Sequence, residues 1–274
     1  MSVAEPTGVE RIPSADKQVV LSSNGLKKAF AGVQALTDVS VDVVEHSITS
    51  LIGPNGSGKT TFFNCISGIY APDAGTITLR GKNVTKQKPH IIAAAGLART
   101  YQSARLFNSL SVSDNVKIGL HAHTKSGFWD CALRLRRSVQ DEALMAERTR
   151  FILEFVGLSS LADIECASLP YGKKRLVEIG RALATSPKLL MLDEPSAGMN
   201  DQETEHLMNT IQRIRRDMDV TVLLVEHDMR LVMSISEWVI VLDHGRVIAQ
   251  GLPEDIQSSP MVIEAYLGKK EASS

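Results

Sequence analysis

The run Gly53-Pro54-Asn55-Gly56-Ser57-Gly58-Lys59-Thr60 has the residue types and spacing of a loop that holds phosphate. Its glycines let the main chain wrap closely, so that backbone N–H groups can point inward at phosphate oxygens. A helix starting near Lys59 would add its positive dipole end. Lys59 offers a point charge to β- and γ-phosphates, Thr60 a hydroxyl to Mg²⁺, and Thr61 a second hydroxyl to the phosphates. A chance glycine-rich turn is the alternative. The apolar run before this loop and the helical pattern after it are the context that a phosphate loop requires.

A second run, Leu189-Leu190-Met191-Leu192-Asp193-Glu194, ends on two carboxylates 134 positions after Lys59. A strand buried on both faces can carry charge only where it leaves the sheet, the edge at which open α/β sheets bind ligands. There Asp193 could hold Mg²⁺, through water, and Glu194 could take a proton from an attacking water. An idle, solvated strand end is the alternative, and the phosphate loop upstream argues against it. His227 follows the apolar run Val220 to Val225, 33 positions after Glu194, where it could reach a γ-phosphate. Gln102, in Arg99-Thr100-Tyr101-Gln102, is uninformative by its chemistry alone.

These residues need a sheet to position them. Val19 to Leu21, Ala35 to Leu36 and Val39 to Val44 read as short strands, and Ile48 to Ile52 as the strand leading into the loop. A helix is expected from Lys59, with Gly68 as its stop. Pro72 to Gly75 reads as a turn and Thr76 to Leu79 as a half-buried strand. From about Leu110 to Leu161 the pattern is helical and rich in charge, and residues 100–185 read as a helical insert. The α/β pattern then returns: strand Lys188 to Asp193, helix Glu203 to Arg216, and strand Val220 to Glu226. Trp238 to Leu242 and Arg246 to Ala249, flanking Asp243-His244-Gly245, signal a hairpin.

Composition sets the outer bounds. With 274 residues, 43% of them hydrophobic, the chain can bury a sizeable core. Its formal net charge of −1, with no basic stripe, argues weakly against nucleic acid as the main partner. Cys65, Cys131 and Cys166 are scattered and odd in number, as expected of inert thiols in a reducing compartment. Residues 1–18 have no apolar segment and read as a flexible tail rather than a signal peptide. No stretch approaches the ~18 apolar residues of a spanning helix, so a membrane role would go through a partner. His121-x-His123 lacks a third ligand nearby and reads as polar loop. Phe128-Trp129 would pack within the insert or against a partner.

In this order, the residues resemble the ATP-binding subunits of ABC transporters, from about Leu21 to Gly268. The resemblance implies an α/β P-loop NTPase with a RecA-like core, an antiparallel β subdomain and a helical subdomain at about 100–185. It implies a single ATP-binding domain over 19–268, followed by a tail at 269–274. Gln102 then matches the loop glutamine that senses Mg²⁺ and water and touches the membrane partner, and His227 the histidine that bridges to the γ-phosphate. Phe30 matches the aromatic that stacks on adenine; by its chemistry alone it fits stacking and core equally well. Ser196 to Asn200 matches the segment that crosses the dimer interface.

The family's LSGGQ signature is Leu169-Pro170-Tyr171-Gly172-Lys173 here. Pro170 replaces a serine that would face the γ-phosphate of the other subunit. Proline suits a first helical turn, so the fold is expected to survive, with the serine's bond to phosphate missing. Gly172 keeps the close backbone approach. Lys173 replaces the usual glutamine and could add charge, or Lys173-Lys174-Arg175 could be a solvated cluster.

Tyr171 in the signature, the long insert, and the ending Ala265-Tyr266-Leu267-Gly268 look like the ATPases of importers for branched-chain and other hydrophobic amino acids. Glu226-His227-Asp228-Met229 fits as well. Urea or amide importers and lipid exporters share the catalytic motifs, and the long insert and Tyr171 speak against the lipid exporter. A soluble ABC protein of DNA repair or translation fits poorly, lacking a second cassette, sustained heptads and a basic patch. Intact Glu194 and His227 argue against a non-hydrolysing subunit. The resemblance implies ATP and Mg²⁺, a second ATP-binding subunit and membrane permease subunits. It also implies a substrate-binding protein outside the membrane and a peripheral place on the cytoplasmic face of the inner membrane.

Overall fold

The computed structural model describes residues 18–102, 105–120 and 136–267. The tail up to Lys17, the His121/His123 pair, Phe128-Trp129, Cys131 and everything from Gly268 onward lie outside the described residues.

Two sheets share the work. The larger has the order β10-β9-β3-β8-β7-β6. Its strands are β3 (Ile48–Ile52), β6 (Leu97–Arg99), β7 (Leu189–Asp193), β8 (Thr221–Val225), β9 (Trp238–Asp243) and β10 (Arg246–Gly251). All run parallel except the β9–β10 hairpin. Every residue of β3, β7 and β8 is buried. Period-2 alternation explains why these apolar runs do not alternate with polar residues: each side chain has a core on its own face. Leu190, Leu192, Val222 and Leu224 point into one core. Leu189, Met191, Leu223 and Val225 point into the other.

The second core is closed by α1 (Lys59–Ile66) and by an antiparallel sheet, ordered β2-β1-β4-β5. Its strands are β1 (Val19–Phe30), β2 (Val33–Val44), β4 (Ala74–Leu79) and β5 (Lys82–Asn83). Here the structure corrects the expected short strands. Val19 to Leu21 is the start of a 12-residue strand, and Ala35 to Leu36 and Val39 to Val44 are parts of another. Polar residues within them have partners across the pair: Ser23 is buried, and its hydroxyl accepts the Val41 N–H at 3.0 Å. The first core is closed by α3 (Val112–Leu120), α4 (Arg136–Phe155), α5 (Tyr171–Ala184) and α6 (Asp201–Asp217). A capping box starts α6, with Asn200 and Glu203 each bonding the other's N–H.

Sequence reasoning did not foresee α2 (Pro89–Ala94) or β6, which are short and carry little periodicity. Three further helices complete the fold: α7 (Met229–Ile235), α8 (Pro253–Ser258) and α9 (Pro260–Leu267). With Ile52, Val239 and Val241 they form a third apolar cluster through Val232, Ile256 and Val262.

Candidate active site

Gly53–Gly58 leave β3, Asp193–Glu194 end β7, His227 follows β8, and Gln102 follows β6. These strands are parallel, so their carboxyl ends share one edge of the sheet.

The loop is shaped for a close-lying anion. Gly53, Gly56 and Gly58 have φ of +148°, +81° and +107°. A Cβ on Gly58 would lie 2.7 Å from the Ala35 carbonyl, and one on Gly53 only 2.0 Å from that of Leu242. Above Gly56 there is open space. The first N–H groups of α1 have no acceptor within the helix. Ser57 Oγ is buried with no hydrogen-bond partner. Unpaired donors around open space, at a helix start, are what a polyphosphate would satisfy. Lys59 is buried, and its ammonium donates to the Gly53 carbonyl at 2.7 Å and to that of Pro54 at 3.0 Å. Burial pushes its pKa below the usual lysine value, and the Glu194 and Asp193 carboxylates push it back up. Thr60 and Thr61 occupy the first turn of α1.

Asp193 is buried and pairs with Arg99 at 2.8 Å. Arg99 also donates to Asn64 Oδ1 (2.7 Å) and Ser67 Oγ (2.8 Å), tying α1 to the end of β7. Glu194 holds a left-handed backbone, φ +46°, costing about 1–3 kcal/mol in a residue with a Cβ. The turn is held by its own N–H, which donates to Val225 O at 2.9 Å. Gln102 Nε2 donates to Glu194 Oε2 at 2.9 Å, and His227 Nδ1 lies 3.8 Å from Oε1. Glu226, fully buried, accepts the N–H groups of Ser196 (2.8 Å) and His227 (3.2 Å), locking the two loops together.

Tyr171, Gly172 and Lys173 open α5, Leu169 lies just before it, and Tyr171 meets this group through Gln102 and Gly198. Tyr171 Oη lies 3.5 Å from the Gln102 carbonyl, and a Cβ on Gly198 would sit 3.4 Å from the Tyr171 ring. Gly172 is packed against Glu203, where a Cβ would come within 2.5 Å of Oε1. Pro170 is the residue before the helix, as its fixed φ permits. The solvated-cluster reading of Lys173-Lys174-Arg175 fails at Arg175, which is 2% exposed. Its guanidinium donates to the carbonyls of Tyr101 and Gln102 and pairs with buried Glu178 at 3.1 Å. Glu178 accepts the Tyr101 N–H at 3.1 Å. Burial raises the Glu178 pKa, opposed by the Tyr101 N–H and Arg175. Phe30 is 41% exposed and meets Tyr70 edge-on, with centroids 5.1 Å apart, so it is not a core residue.

Residues 36–197, more than half of the chain, match the family model for ABC transporters. This chain belongs to the ABC transporter family. A second model, described as a branched-chain amino acid ATP-binding cassette transporter, matches residues 246–272 of this ABC ATPase. It is 43% identical over 254 residues to the high-affinity branched-chain amino acid transport ATP-binding protein LivG of Salmonella typhimurium, covering 92% of this chain and 99% of that one. BraF of Pseudomonas aeruginosa, described in the same words, is 41% identical, with 91% and 98% covered. The ADP conformation of an ATP-binding cassette from an ABC transporter superposes with a TM-score of 0.80 at 31% identity, covering 92% of this chain and all of the other. The fold is thus the ABC ATPase form of the P-loop NTPase fold. No helix of this ABC ATPase among the described residues is long and apolar enough to cross a membrane.

Arg99, Arg175 and Glu178 carry no motif that marks them in the sequence, and Glu226 stands beside His227 in a matching stretch that gives it no role. Their one available signal is an ionisable residue at an apolar-periodic position, as with Arg175 and Glu178 amid Leu176, Val177 and Ile179.

Proposed function

We propose that this subunit binds Mg·ATP at the sheet edge and hydrolyses it to power import of branched-chain or other hydrophobic amino acids. The observation that carries the ATP reading is the meeting of Lys59, Asp193, Glu194, Gln102 and His227 at one edge, beside a glycine loop with an unpaired Ser57 hydroxyl and a helix start. Phe30, with Tyr70 beside it, offers the adenine a ring face. Gly53 to Thr61 cradle the phosphates, and Lys59 exchanges two loop carbonyls for phosphate oxygens. Thr60, Asp193 and Gln102 form a hard-oxygen set for Mg²⁺, completed by phosphate and water. When bound, the ion neutralises charge developing on the phosphates. Glu194 takes the proton of the water that attacks the γ-phosphorus. The bond to the bridging oxygen breaks, and ADP and phosphate leave. His227 holds the γ-phosphate.

In this reading Leu169, Tyr171, Gly172 and Lys173 face the triphosphate of a second ATP-binding subunit, identical or different. The helical part at about 100–185 belongs to the single domain 19–268 and transmits closure to membrane permease subunits. The subunit then lies on the cytoplasmic face of the inner membrane, and a binding protein outside delivers the substrate. The likeness to LivG and BraF and the match at residues 246–272 support the substrate class. Purified chain should hydrolyse Mg·ATP. With its permease and binding protein in vesicles it should drive leucine uptake that Glu194→Gln abolishes. Uptake of urea or an amide instead of leucine would overturn the substrate class while leaving the ATPase reading intact.

A further inference from the structure

The ending Ala265-Tyr266-Leu267 has no part in the chemistry above, yet it reaches the phosphate loop. Tyr266 lies 213 positions after Gly53, and its hydroxyl accepts the Gly53 N–H at 2.8 Å. Gly53 is where β3 becomes the loop: the ladder ends at Ile52, which faces Val241. The Gly53 amide is therefore the first past the ladder and needs another acceptor. Its position allows little adjustment, because φ is +148° and the Leu242 carbonyl fills the space a Cβ would take.

What carries the hydroxyl there is packing. Val262 of α9 is buried with Ile52, Val239, Val241, Val232 and Ile256, which seats the helix over the ends of β3 and β9. The rest of α9 is loosely held: Met261 is 53% exposed and Leu267 81%. Among the described residues, the Tyr266–Gly53 bond is the one hydrogen bond running from α9 to another element. Tyr266 is itself 38% exposed; its partial burial lifts the phenol above its ordinary pKa, with the Gly53 amide pulling the other way.

The same residue is held a second time. The Gly53 carbonyl accepts from Lys59 Nζ at 2.7 Å. The Lys59 ammonium has three N–H donors, and two are spent on the Gly53 and Pro54 carbonyls, so engaging both the β- and γ-phosphates draws it off the loop carbonyls. The two holds on Gly53 thus differ in kind: the lysine hold competes with phosphate for the same ammonium, and the tyrosine hold does not.

We propose that Tyr266 is a positioning residue for the phosphate loop, its hydroxyl keeping Gly53 in place when Lys59 transfers from the loop carbonyls to the nucleotide. This rests on the ATP-binding reading above. It makes the carboxy-terminal helix part of the nucleotide site's scaffold, acting through Gly53 without touching the reacting atoms. Loss of the hydroxyl weakens nucleotide binding and spares the chemical step, because Glu194, Gln102 and His227 are held by other elements.

The test is Tyr266→Phe in the full chain, which keeps the ring and its packing. Amide exchange at Gly53 without nucleotide should quicken several-fold. The Kd for ATP should rise about 3- to 10-fold, the range of one neutral hydrogen bond. Turnover at saturating ATP should stay within about 2-fold and Tm should hardly move. Unchanged Gly53 exchange overturns the tether. Faster exchange with an unchanged Kd, or a fall in turnover alone, overturns the positioning role. If the wild-type chain does not bind ATP, the ATP reading fails, and Gly53 exchange still reports on the tether by itself.

Discussion

The sheet edge around Lys59 and the start of α5 around Tyr171 solve different problems. At the edge, every motif position keeps its chemical type: glycines where φ is positive, Lys59 over the loop, and Asp193 and Glu194 leaving β7. At the start of α5 the motif changes from serine to Pro170, from glycine to Tyr171 and from glutamine to Lys173, while the supporting layer beneath is dense. Arg175 and Glu178, both nearly fully buried, grip the main chain of Tyr101 and Gln102, and Gln102 in turn bonds Glu194. Reacting groups tolerate little substitution because pKa and hydrogen-bond donors are fixed by residue type. A helix start that presents backbone tolerates more, provided its position relative to the edge is held.

The largest effect should come from the edge. Glu194→Gln should retain ATP binding and a closed dimer but lose about 10²- to 10⁴-fold in hydrolysis, measured by phosphate release under saturating ATP. Normal turnover would remove Glu194 as the base. Lys59→Ala should weaken ATP binding by about 10- to 100-fold in equilibrium titration, the scale of a lost charge-assisted hydrogen bond. An unchanged Kd would break the assignment of the loop.

The layer beneath α5 should respond in stability as well as rate. Glu178→Gln leaves the Arg175 guanidinium buried without its carboxylate and should cost about 3–5 kcal/mol in denaturant unfolding. Replacing both residues with apolar ones of similar volume should cost less than the single change, yet still slow turnover, because Gln102 loses its grip. Equal turnover in the double variant would mean that the grip serves folding alone. The smallest effect is expected at Pro170→Ser, where turnover should rise if the missing hydroxyl limits it. An unchanged rate would show that the signature works through backbone at this position.

Much of the edge is legible in the residues themselves. The glycine spacing, the apolar run ending in Asp193-Glu194, and His227 after the next strand each carry a local reason that needs no partner. The long strand β1 reads as a fragment because Ser22 and Ser23 look like breakers until their cross-strand partners, Asp42 and the Val41 main chain, are present, and β2 reads as two pieces because Thr37-Asp38 interrupts its apolar pattern, Asp38 taking a φ of +62°. Arg175 reads as solvated because three consecutive cations usually are, and only the approach of the Tyr101–Gln102 main chain gives it acceptors in the core.

The residue order is enough to read the candidate site: side chains of the types that could hold phosphate, carboxylates that leave a buried strand, and the strands that feed them. Those are local properties, set by φ, periodicity and residue type. The pairings across long separations exist only in the folded chain: Arg99 with Asp193, Arg175 with the Gln102 main chain, Glu226 with Ser196, and Tyr266 with Gly53. Such pairings depend on two distant segments meeting in a low-dielectric interior, where an unmet donor or acceptor is costly and almost any suitably placed polar group can meet it.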